Sequence, residues 1–217
     1  MGSTNLIEEE ESNKKKSIEK MIDIDGNIYQ TIDIGVKTWT VDNLKTTKYN
    51  DGTEIPLVTV HLEWESIIKH GYCWYNNDEK NQNKYGALYN WYAIDSKQLA
   101  PKGWHVPSKE EWEEFESYLH NYNNDKTRIN RKILAKIKAI SKNAITNNRP
   151  GFVEVLGGYR HIDGLFFYID YGGGWWSSTG HGLSGAWYRY TGYGRSGVSR
   201  NDNNKTLGFS VRCIKDY

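Results

Sequence analysis

One stretch of this chain repeats at the spacing of an α-helix, and it lies between two long regions that do not. Around residues 108–120, Trp112, Phe115 and Leu119 recur at helical intervals with acids on the opposite face. Ser108, preceded by Pro107 and followed three residues later by Glu111, predicts a capping box at the start. A second stripe (Ile129, Ile133, Leu134, Ile137 and Ile140) predicts another helix over 127–140. Before these helices, Ile22, Ile24, Ile28, Ile32, Ile34 and Val36 alternate around turns at Asp25, Gly26 and Gly35, which predicts two or three short strands. After Pro150 helical periodicity stops. Short β-like runs at 152–156, 165–169, 186–190 and 209–214 are separated by Gly, Ser and Asn. Strands, helices, then strands is an α+β order in which N- and C-terminal strands can share one sheet, with two main helices between them.

The intervening segments are less decisive. Leu62, Trp64, Ile67 and Ile68, closed by Gly71, suit a short helix; Gly71 to Trp74 suits a strand, and 76–84 a polar loop. Leu88, Trp91, Tyr92 and Ile94 fit a helix face or a buried strand equally well. Residues 1–20, with a run of four Glu and one of three Lys, are expected to be a disordered leader, and 21–217 a single domain. That leader has no apolar core of the kind a signal peptide needs.

Composition restricts function mainly by exclusion. A net charge of +1 provides no basic field for nucleic acid, and no stretch approaches the roughly 20 apolar residues of a membrane span. The six histidines are scattered without a zinc-binding spacing, and no G-x-S-x-G elbow surrounds Ser177 or Ser178. Cys73 and Cys213 are too far apart for a metal knuckle. They are candidates for one disulfide or for two buried thiols. No catalytic constellation stands out, so the chain is expected not to be an enzyme and to carry no cofactor.

The informative tract is 180–207, which combines Gly, Ser, Asn and Arg with Trp187, Tyr188, Tyr190 and Tyr193. A merely solvated loop avoids such aromatics. The mixture is that of recognition loops, in which Tyr provides rigid contact area, Gly and Ser provide adaptability and Arg provides anchors. The expected contact face is His181, Leu183, Ser184, Tyr188, Tyr190, Thr191, Tyr193, Arg195, Ser196, Ser199 and Asp202. Trp175, Trp176, Trp187 and Phe209 are expected to be scaffold.

A run of motifs in fixed order resembles the Fibrobacter succinogenes major paralogous domain. It includes Asp23, Asp25, Gly26, Asn27 and Tyr29; Trp39 with Asn43 and Leu44; and Tyr72, Cys73, Trp74 and Tyr75. It continues through Tyr85, Gly86, Ala87 and Leu88; Gly103, Trp104, His105, Val106 and Pro107; Gly157 to Arg160; Trp175 to Ser178; and Gly208 to Cys213. The resemblance covers about residues 22–216. It implies a C-type-lectin-like fold and a setting on bacterial surface lipoproteins, at the cell surface or secreted, with a phage particle as the alternative. His181, Ser184, Thr191, Tyr193, Arg195, Ser196, Ser199 and Asp202 stand where relatives are Asn-rich. That is similar to the variable region of a protein diversified by a retroelement, and it implies a protein or carbohydrate ligand. Two departures matter. The Glu-Pro-Asn and Trp-Asn-Asp motifs of calcium-dependent lectins are missing, so calcium has no support. Ala100 also stands where many members have a Cys, which puts the pairing of Cys213 in question. The alternatives within this resemblance are a divergent enzyme of the formylglycine-generating-enzyme-like fold and a structural surface or phage-tail component.

Overall fold

The computed structural model describes residues 19–124, 155–192 and 199–217. The N-terminal alternation forms an antiparallel meander, β1 (Lys20–Ile22), β2 (Ile28–Ile34) and β3 (Lys37–Thr40). Gly35, at the tight β2–β3 turn, has φ +63°, a left-handed conformation that costs a side-chain-bearing residue about 1–2 kcal/mol. Next come α1 (His61–Glu65), β4 (Tyr72–Cys73), α2 (Gln82–Tyr85), β5 (Leu88–Tyr89), α3 (Trp91–Asp95), β6 (Trp104–His105) and α4 (Lys109–Asn124). The C-terminal half supplies β7 (Gly157–Arg160), β8 (Phe166–Ile169), β9 (Gly172–His181), β10 (Gly185–Gly192), β11 (Ser199–Asn204) and β12 (Ile214–Lys215). The fold is mixed α+β, mostly strands with few and short helices.

Terminal strands do share a sheet. Its order is β1-β2-β3-β12-β6, with Ile214 of β12 opposite Trp39 on one side and His105 on the other. A second sheet has the order β11-β10-β9-β7-β8, antiparallel except where β7 meets β9. The segment 208–213 joins the sheets. Gly208 pairs with Arg160, Phe209 with Tyr89 and Ser210 with Trp175, and the carbonyls of Val211 and Cys213 accept from Leu44 and Thr40.

The capping box of α4 is present: Glu111 N donates to Ser108 Oγ at 3.1 Å, and Ser108 N donates to Glu111 Oε2 at 2.9 Å. His105 also bonds Glu111, and together these contacts hold its carboxyl down near pKa 2 against the effect of its own burial. The buried face of α4 sets Trp112 and Phe115 against Trp39, with ring centroids at 5.0 and 4.9 Å. Further core clusters gather Trp74, Trp91, Trp176 and Phe209, and Trp64, Cys73, Tyr75 and Leu88. Seven of the nine tryptophans are thus buried core, shared among the three clusters, while Trp104 and Trp187 are half-buried.

Several local expectations change. Residues 88–94 contain both a strand and a helix, split by Asn90, whose side chain caps α3 by accepting from Ala93 N. The stretch 76–84, expected to be loop, forms helical turns at Tyr75–Asn77 and Glu79–Asn81 and then α2. The helix expected over 127–140 lies outside the described residues, as does most of the leader.

Candidate ligand-binding face

The tract 180–207 is built on the second sheet. β9 and β10 form a hairpin whose turn is Gly182 to Ser184, and β10 pairs with β11 from Gly185↔Asn204 to Tyr190↔Ser199. A register shift between the Ala186 and Tyr188 pairs places extra residues on β9, between Trp176 and Gly180, while β10 keeps a regular alternation against β11. One set of β10 side chains faces α4. Lys109 Nζ lies 4.4 Å from the Trp187 ring centroid. Fully buried Arg189 bonds Glu116 and donates to Lys109 O at 3.1 Å. The other set lies over β9 and Phe209. Tyr188 stacks on Phe209 at 4.6 Å and 11°. The Tyr190 hydroxyl lies over Gly172, where a Cβ would approach it to 2.5 Å.

These directions divide the expected face. His181, Leu183, Ser184 and Asp202 are exposed, with Leu183 at 99%. His181 Nδ1 and Asp202 Oδ2 meet at 3.0 Å, bridging the hairpin tip to β11. Lys205 reinforces the tip by donating to Leu183 O at 3.0 Å while lying over Trp91. Tyr188 and Tyr190 are half-buried. Thr191 does not belong to the face, because it is buried within the sheet at 8% exposure. Ser199 opens β11 opposite Tyr190. Tyr193, Arg195 and Ser196 lie outside the described residues.

The structure adds residues that the sequence reading missed. From Tyr188 a chain of ring contacts passes beneath the surface through buried Phe209 to Tyr159 (5.7 Å), which in turn contacts Tyr168 (6.0 Å, stacked) and Phe167 (5.7 Å). Phe167 and Tyr168 are exposed on the edge strand β8, and Tyr168 sits there at φ +64°. A non-glycine residue in that conformation costs about 1–3 kcal/mol, a strain that clusters at binding surfaces. The consecutive Phe166, Phe167 and Tyr168 in an expected strand were the available signal.

Cys73 and Cys213 do not form a disulfide: both are free and fully buried. They sit in separate core clusters, Cys73 with Trp64 and Leu88 and Cys213 with Tyr29 and Leu44. Burial pushes the Cys73 thiol up to about 12 even though Arg160 lies beside it, and it raises Cys213 as well. In the native protein neither thiol is expected to react with Ellman's reagent within an hour, whereas both titrate in about 6 M guanidinium. A single fast-reacting native thiol would favour the enzyme reading over the display reading. Among the described residues no three His, Cys, Asp or Glu side chains converge as a metal-holding group. No described helix is long and apolar enough to cross a membrane.

A family model, the Fibrobacter succinogenes major domain, matches residues 32–215, most of the chain. No curated protein and no solved structure matches.

Proposed function

This chain belongs to the Fibrobacter succinogenes major domain family, and on that footing we propose that it is a ligand-binding display domain of C-type-lectin-like architecture. Its binding face is the β9–β10 turn with β11, extended by the half-buried tyrosines of β10 and the aromatic surface of β7 and β8. The observation that carries the reading is the separation of roles within β10 and its neighbours. Arg189, Trp176 and Phe209 are locked in the interior, while His181, Leu183, Ser184 and Asp202 beside them face solvent. A surface can vary freely only where its side chains do not hold the fold. In this reading the positions resembling adenine-mutated asparagine codons are diversified, the partner is a protein or a glycan, no cofactor takes part, and the setting is the bacterial cell surface.

The test has two parts. Changing His181, Leu183, Ser184 and Asp202 together to Ala is expected to move Tm by less than about 8 °C, since exposed positions each contribute within about 0.5 kcal/mol. Randomising the same four positions in a surface-displayed library is expected to yield clones that bind purified bacterial surface proteins or glycans. A Tm loss above about 10 °C, or a library with no binder above background, would count against the proposal. At the gene, a downstream near-copy of the 3′ end that differs at adenines is the expected sign of diversification.

A further inference from the structure

We propose a second binding site, in the open groove between α3 and residues 49–56, for a small organic ammonium ion with an aromatic or apolar body. The groove has a volume of about 520 Å³, within the range of small-molecule sites. Its floor is Tyr49, 4% exposed, with His70 set edge-on against it at 5.5 Å and 81°. Tyr92 of α3 adds another aromatic surface. The Tyr49 hydroxyl is buried and makes no hydrogen bond of ordinary geometry; Ser96, whose hydroxyl also donates to Ala93 O, is the side chain it interacts with. Buried phenols normally find well-formed partners, and one held only by a loose contact beside a cavity keeps hydrogen-bonding capacity for a ligand.

Charge selects the class of ligand. Glu54 and Asp95 both line the groove and are exposed, and neither is paired with a described cation of the chain. Lys69 is the lone lysine of the lining, and its flexible stem can carry the ammonium head out to water while the methylenes cover apolar surface. An anionic ligand would meet two carboxylates, and a neutral one would leave their field unused. An ammonium gains from both carboxylates and from the aromatic faces, over which a cation is attracted.

The probe pair is phenethylamine and 2-phenylethanol, which share one aromatic body and differ in charge. Titrated into the full chain near pH 7 at low salt and followed by amide chemical shifts, phenethylamine is expected to bind at least about tenfold more tightly. It is expected to shift amides of 49–55, 68–70 and 92–96. The double variant Glu54→Gln/Asp95→Asn is expected to weaken phenethylamine by about tenfold or more with an unchanged Tm, both positions being exposed. The four-alanine variant of the display face is expected to bind it like the parent, so failure of one site is not failure of the other. Equal affinity for the two probes, shifts elsewhere, or indifference to the double variant would overturn the proposal.

Discussion

Replacing Arg160 by Met is expected to lower the unfolding free energy by about 3–5 kcal/mol, among the largest effects of any single substitution in the domain. The guanidinium is fully buried and is satisfied by backbone carbonyls. Nε donates to Gly164 O at 3.0 Å, Nη1 to Val58 O at 2.6 Å, and Nη2 to Thr59 O and Val60 O at 3.3 and 3.5 Å. Trp64 and Phe166 close over it at 4.4 and 4.9 Å. Met fills comparable space but donates nothing, which leaves several carbonyls ahead of α1 without a donor at about 1–3 kcal/mol for each that stays dry. Arg160→Lys is expected to recover less than half of the loss, because one ammonium cannot reach carbonyls arranged around a planar fork. Urea denaturation followed by tryptophan fluorescence measures both. A loss below about 1 kcal/mol for Met would mean that the 58–60 segment re-solvates and that Arg160 does not fasten it to β7.

Arg160 also illustrates what a sequence can reveal and what it cannot. Features decided within a few residues were legible: the alternation of β1 to β3, the Ser108–Glu111 capping box, and the α+β order with a shared terminal sheet. Features decided by distant partners were not. An arginine read alone suggests surface, yet Arg160, Arg189 and Arg212 are all buried, and the carbonyls at Val58 and Thr59 are about a hundred residues from Arg160. β9 was read only as core around its tryptophans, because Gly172, Gly173 and Gly174 look unlike a strand. Their lack of side chains is required by rings from elsewhere, Tyr190 over Gly172 and Phe209 against Gly174. On the candidate face, composition pointed to His181, Leu183, Ser184 and Asp202, which the structure leaves exposed. Thr191 is buried on the face of β10 that it shares with Trp187 and Arg189, an alternation that a tract read by its composition does not register. The two cysteines were undecidable for the same reason, since the sequence cannot say that they belong to different core clusters.

The second large effect is expected at Asn43, in the seam between the sheets. Its Nδ2 donates to Tyr85 O at 2.8 Å, Ser210 Oγ at 3.2 Å and Val155 O at 3.4 Å. Its Oδ1 accepts from Trp175 Nε1 at 2.8 Å and Arg212 Nε at 3.3 Å. One amide therefore serves the N-terminal segment, the α2–β5 region, β9 and the C-terminal spine. Arg212 depends on such acceptors: burial pushes its guanidinium down to about 10. Asn43→Leu keeps the volume while leaving the indole N–H, the Arg212 Nε–H and two carbonyls without this partner, and is expected to lose about 3–5 kcal/mol. Ser210→Ala, which removes one acceptor, is expected to lose about 1 kcal/mol, and combining it with Asn43→Leu to add little, since the two share a bond. Hydrogen exchange locates the damage. Trp176 N and Ser210 N lie in the ladder beside this amide, so exchange is expected to accelerate in β9 and β10 before β1 and β2. That order would mean the β9–β10 hairpin is rigid because Asn43 ties it to the spine. Equal acceleration across both sheets, or a loss below about 1 kcal/mol, would mean that the backbone ladder alone holds the hairpin.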